Sequence, residues 1–445
     1  MCRYLLVLCF IMLAPFIMFG QIKTPASPTF STFSPVTTMP GSQPGGNRQP
    51  ANPAVEYTNK MYRKSAEQNE KILKTNPPGS SYEGSVRGAE EVQSQTITAE
   101  QQAAEREKLR YEKSLAQFKF VFTELLRMQR GKIPFSLKRA VFLVEGAYTG
   151  NAIPYSVFNK KITDKVHLLE EVMKREQVAR NSLGKNYAIQ KLFAEDLTDE
   201  QGRLQRHYTY DFEDPFGEND YSKMFVGRLL HEGTGQCHSM PLLYLILAEE
   251  LKAKAWLSIS PNHSFIVFSD SITGELYNFE TTNGNPASKT WAMASGYIST
   301  AAIRNKIYLD TLNRSALLAY VMADLVKGYS NKMGDDNFVI AMADSIIKIC
   351  PNSIDGYIMK ANAMTIACTR SARAIGLKSD KQFYLYPELS RQNKQIHEIY
   401  DIIDELGYNP MPIDKYRDWL ASADGAARKA ESLKLKKQIS TNAKR

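Results

Sequence analysis

Cysteine is scarce in this chain. There are five in 445 residues, and Cys2 and Cys9 fall inside the first ten. A fold stapled by disulfides needs a dense set of cysteines, so that class is excluded. Once the N-terminal segment is set aside, Cys237, Cys350 and Cys368 remain. An odd count in an exported chain points to a free thiol. Cys350 and Cys368 suit core positions in C-terminal helices, or a disulfide with each other, which leaves Cys237 as the free one. Histidine is also sparse, with six in all. His231 and His238 flank Cys237, but neither spacing matches a zinc pattern, so no metal is expected. No motif implies a cofactor. No apolar run beyond the first twenty residues is long enough to span a membrane. The formal charge of +9 is spread over many helices, with part of it in a tail holding Lys429, Lys434, Lys436, Lys437, Lys444 and Arg445. That favours acidic surfaces. Without a recognisable binding module it does not make nucleic acid a partner.

A chain of this length holds two or three domains. Residues 1–20 carry one early positive charge, Arg3, and then an apolar stretch that reads as a secretory signal peptide with Gly20-Gln21 as the cleavage point. Met18 is large for the position three before the cut, so an uncleaved N-terminal anchor is the alternative and the one route to a membrane. The expected location is outside the cytoplasm: periplasmic, cell-envelope or secreted. Residues 21–98 are rich in Pro, Ser, Thr and Gly and read as a disordered or linker-rich segment, interrupted by a short helix at 54–75.

From residue 99 the pattern becomes helical. Residues 99–130 change from charged to apolar along their length, as a helix with a solvated start and a docked end would. Ser136 is placed to cap a second helix, and residues 161–179 form a third, on which His167 is a plain surface residue. Residues 208–220 are aromatic, acidic and turn-rich, and could line a cleft. Residues 221–230 read as a short helix. Beyond residue 304 helices alternate with a Gly334-Asp335 turn and a Pro351-Asn352 turn, a spacing similar to a degenerate tetratricopeptide repeat. Two more helices are expected at 396–406 and 416–435. Residues 99–300 are thus read as one unit and 301–445 as a helical C-terminal domain.

The middle of the chain carries the chemistry. Gly233 and Gly235 allow a tight turn and close approach of another chain. Cys237 follows, at the start of an apolar helix carrying Leu242, Leu245, Ile246 and Leu247. Unpaired N–H groups and the helix dipole favour a thiolate at such a place. Two strands come next. His263 opens the one that runs Ser-Phe-Ile-Val-Phe, and Glu280 stands near the end of the other. A buried small residue, a hydrogen-bonded histidine and a strand-end carboxylate are ordinary one at a time. In this order they supply a nucleophile, its base and a group to orient the base.

These residues resemble the transglutaminase-like superfamily, in particular its bacterial transglutaminase-core branch. The likeness rests on Gly-x-Cys opening an apolar helix, Leu-Tyr-Leu, Pro-x-His-Ser-Phe-Ile-Val, and a strand ending in an acidic residue followed by Thr, over about residues 220–284. It implies an α+β fold with a papain-like core, in which a cysteine-bearing helix packs on a small antiparallel sheet within helical flanks. It implies a triad of Cys237, His263 and Glu280. The chain departs from the family in having Glu where Asp is usual, and Asn278, on the same strand face, is the fallback. Backbone groups at the helix start, at Gln236 and His238, would hold the oxyanion. The expected activity is that of a cysteine hydrolase or acyltransferase acting on amide bonds of protein or peptide. The alternative is a non-catalytic protein of the same fold that binds a partner through its C-terminal helices. Substrate, acceptor and oligomeric state are not written in the sequence.

Overall fold

The computed structural model describes residues 99–445 apart from 271–272, 289–292, 378–379 and 423–425. The signal segment 1–20, the linker 21–98 and its helix at 54–75 lie outside the described residues. The chain enters on helix α1 (Ala99–Gln129), followed by α2 (Leu137–Thr149), α3 (Tyr155–Arg175) and α4 (Ser182–Ala194). Two short pairings come next. β1 (Leu197–Thr198) meets β2 (Leu204–Gln205), and β3 (Thr209–Tyr210) runs parallel to β4 (Thr234–Gly235). Between β3 and β4 lie a 3-10 turn (Tyr221–Met224) and α5 (Val226–Glu232). Helix α6 (Ser239–Leu251) then leads into four strands, β5 (Ala255–Ser260), β6 (His263–Ser269), β7 (Leu276–Glu280) and β8 (Asn285–Ala287). These form one antiparallel sheet in sequence order.

The molecule is α+β, mostly helical with small sheets. Its centre is α6, which is apolar all round from Met240 to Ala248. A helix of that kind must be buried on every side. It is enclosed by α2, α3, α4 and α5 and by strands β5 and β6. Only its end, at Glu249 and Glu250, reaches solvent.

The C-terminal part comprises α7 (Thr300–Arg304), α8 (Arg314–Met333), α9 (Asn337–Ile349), α10 (Ile354–Ala374), α11 (Pro387–Leu406), α12 (Ile413–Ala421) and α13 (Ala426–Ala443). Helices α8 to α11 pack each on the next. The expected boundary at 300/301 is crossed by one apolar core, which runs without a break from Phe118 on α1 through α6 and α8 to Ala443. Helix α8 packs on α1 and α2, while Leu309 N–H and Leu312 N–H donate to the Ile259 and Leu257 carbonyls of β5. A second cluster, built around Ile358, Ile396 and Ile403, lies within the C-terminal helices.

Some elements differ from the sequence expectation. Helix α4 was not anticipated; it mixes buried Asn186 and Gln190 with Leu and Ile and carries Gly184, so it shows no clean apolar stripe. The helix expected at 161–179 begins earlier, after Pro154, whose fixed φ suits a helix start. The single helix expected at 416–435 is two, α12 and α13. Cys350 and Cys368 are both free thiols. Cys350 ends α9 and bonds to Asn352, while Cys368 is buried on α10, where burial raises its thiol to about 11.

Asp336 caps α9 by accepting from the N–H groups of Phe338 (2.8 Å) and Val339 (3.2 Å), and also accepts from the Tyr329 hydroxyl at 2.7 Å. Replacing Asp336 with Ala is expected to cost about 1–2 kcal/mol, the usual worth of such a cap. Urea denaturation of the two proteins checks it, and equal midpoints would refute it.

Candidate active site

The site is assembled by three local devices. Glu145 of α2 accepts from Val226 N–H (2.6 Å) and Gly227 N–H (2.9 Å), pinning the first turn of α5. Burial is the main cause that lifts this carboxyl to about 8, with Asp324 adding to it against the two N–H bonds. Gly233 then ends α5 at φ +79°, a conformation that suits glycine. Gly235 pairs with Tyr210, and a Cβ on it would come within 2.8 Å of the Ser239 hydroxyl. Cys237 follows two residues later, just before α6 begins. The third device is the turn joining β5 to β6. Pro261 is followed by Asn262 at φ +56°, so Ser260 and His263 face each other across the hairpin.

The structure brings Cys237, His263 and Glu280 together in the interior. The exposures of Cys237 and His263 are 0%, and that of Glu280 is 2%. His263 Nε2 meets Glu280 Oε2 at 2.6 Å. The Nδ1 side of the ring faces the Cys237 sulfur, with which it is hydrogen-bonded, and the Tyr416 hydroxyl at 3.4 Å. The thiol also points at the Asn262 carbonyl, 3.7 Å away, and Ser264 Oγ donates to the Cys237 carbonyl at 2.7 Å. Burial alone would push His263 down. The Glu280 carboxylate and the Cys237 sulfur outweigh that and raise it to about 10, so the ring keeps its second proton at neutral pH.

The remaining candidates are placed differently. Glu280, rather than Asn278, bonds to His263. Asn278 lies opposite Val267 on β6, and its buried Oδ1 has no protein partner. The longer glutamate arm reaches the imidazole from the last position of β7. The Gln236 amide nitrogen donates to the Asp214 carbonyl at 2.7 Å. His238 turns its ring to α8, with Nδ1 2.7 Å from the Tyr320 hydroxyl and Nε2 2.9 Å from Asp324 Oδ2. The Gln236 backbone N–H, expected to face an oxyanion, instead donates to the Ser239 hydroxyl at 3.0 Å. His231 is exposed on α5 and takes no part. Among the described residues no group of three or more His, Cys, Asp or Glu is gathered as for a metal ion, and no helix is long and apolar enough to cross a membrane.

The sequence reading missed the residues that lie over the site. Tyr416 of α12 donates to the Cys237 sulfur at 3.3 Å, and its hydroxyl also meets that of Tyr210 at 3.2 Å. Burial, with Cys237 and Tyr210 close by, holds this phenol well above its ordinary 10, so it remains a donor. Trp419 sets its ring edge-on to His263, 5.2 Å between centroids. The Asn262 side chain donates to the Met411 carbonyl at 2.8 Å. A signal was present: Tyr416 and Trp419 stand three apart, on one helix face. Nothing local says which surface that face meets.

No family model, no curated protein and no solved structure matches this chain.

Proposed function

We propose that the chain is an exported, transglutaminase-like cysteine hydrolase or acyltransferase, with a papain-like core, that acts on amide bonds of protein or peptide. The observation that carries this reading is the single imidazole held between a buried carboxylate at 2.6 Å and a buried thiol. In the proposed reaction the Cys237 sulfur attacks the amide carbonyl, and the backbone at the start of α6 steadies the developing oxyanion. His263 passes its proton to the departing amine, leaving a thioester on Cys237. It then takes a proton from water or from a second amine as that group attacks, and the Cys237 sulfur is released beside the reprotonated ring, as at the start. Glu280 keeps the imidazole oriented throughout.

The test is turnover of peptide, glutaminyl and peptidoglycan-derived amides by wild type and Cys237→Ala. The expected loss is roughly a thousandfold or more, as when a nucleophile is removed from a triad. Turnover that survives the substitution, or none with wild type once α12 has been displaced, would sink the reading.

The complete burial of Cys237 and His263 favours a second reading, a non-catalytic scaffold protein of the same fold in the cell envelope. Its binding surface would be the groove of about 460 Å³ across α9, α10 and α11, bordered by Asp344, Lys360, Met364 and Glu398. It requires a stable envelope complex that survives Cys237→Ala and is lost with Met364→Glu. The enzyme reading expects the groove change to leave turnover intact.

A further inference from the structure

We infer that the cleft over Cys237 is a binding site for a polypeptide segment presenting an aromatic side chain, filled in this structure by the chain's own residues 411–420. The inference rests on the proposed reading of Cys237 as nucleophile, because it concerns what reaches that thiol. With 0% exposure at both sulfur and imidazole, no carbonyl can approach while the segment stays in place.

The segment's contacts are those of a ligand in a site. The Tyr416 side chain enters tip first, its hydroxyl on the Cys237 sulfur and on Tyr210. Its ring lies 5.0 Å from that of Phe216, within the favoured range for aromatic pairs. The main chain is anchored at Met411, whose carbonyl accepts from Asn262 in the turn that delivers His263. Trp419 closes over His263. Between these buried points the exposed residues are all charged: Asp414, Lys415, Arg417 and Asp418. A helix of nine residues has little stability of its own and is held by what it docks on. With the segment lifted, Tyr210 and Phe216 leave an aromatic-walled recess with a hydroxyl at its base, beside the thiol. That recess suits a tyrosine-like side chain of a polypeptide, and the thiol is latent until such a segment replaces the internal one.

The experiment is iodoacetamide labelling of the full chain, read peptide by peptide by mass spectrometry. Buried Cys368, on α10, reports whether the fold stays intact. Cys237 is expected to label slowly in wild type and roughly 100-fold or more faster in Tyr416→Ala, the size of effect when a buried aromatic anchor is truncated. Cys368 should stay protected in both. A synthetic peptide spanning residues 409–421 should slow the Tyr416→Ala protein again, and the same peptide with alanine for its tyrosine should not. If Tyr416→Ala exposes Cys368 as well, Trp419→Ala serves in its place, with the same expected direction. Wild type labelling as fast as the variants would overturn the inference. So would a tyrosine peptide that protects no better than its alanine counterpart. A thiol that opens on cue yet turns over no amide would instead sink the enzymatic reading and leave the binding site standing.

Discussion

A chain ended after Arg304 is expected to stay unfolded. The cut removes α8, whose buried face includes Leu318, Tyr320, Val321, Met322, Leu325, Val326 and Tyr329. Each large apolar side chain of this kind contributes about 1.5–3 kcal/mol on burial. Seven of them already equal the roughly 5–15 kcal/mol by which a domain is stable. The loss does not stop there. α8 supplies the partners of His238, and Ala443, at the end of α13, accepts from Ala179 N–H beside α4. Circular dichroism and urea titration of the fragment should show no cooperative transition. A cooperative unfolding curve would mean that the core folds without its C-terminal helices. Deletion is thus the wrong tool for separating catalysis from partner binding, which is why the groove is to be tested by a point change.

The second large effect is expected at Glu280. Changing it to Gln keeps the shape but removes the charge that faces His263. Breaking a buried ion pair by neutralising one member costs about 3–5 kcal/mol. The pH dependence has a definite sign. His263 rises from 6.5 unfolded to about 10 folded. The folded state therefore holds the proton more tightly, and the stability this supplies is complete below 6.5 and lost as pH climbs through about 10. Wild type should exceed Glu280→Gln most at pH 6, and the gap should close toward pH 10. Because Glu145 titrates in both proteins, the comparison has to be made on the difference between them. Urea midpoints at the two pH values decide it. A gap that stays constant with pH would show that Glu280 acts by packing and not by charge.

Much of the site could be read along the chain because its parts are close in sequence. Cys237, His263 and Glu280 fall between the turn that opens one helix and the third strand of a meander. A helix apolar all round and three strands joined by turns have few ways to pack, and the antiparallel register alone brings the end of β7 to the start of β6. The choice between Glu280 and Asn278 was not legible, because both point to the same strand face and only the three-dimensional register separates them. Helix α4 was hidden by its buried polar residues.

The sequence by itself determined most of the local elements, the central buried helix and the order in which thiol, imidazole and carboxylate arrive. Tertiary structure alone decided that α8 belongs to the same core, that His238 turns away from the thiol, and that Tyr416 lies on Cys237 across 179 positions of chain. The physical reason is range. Periodicity and turn chemistry report which face of a segment is buried, while the partner of that face is chosen by packing among elements far apart in sequence.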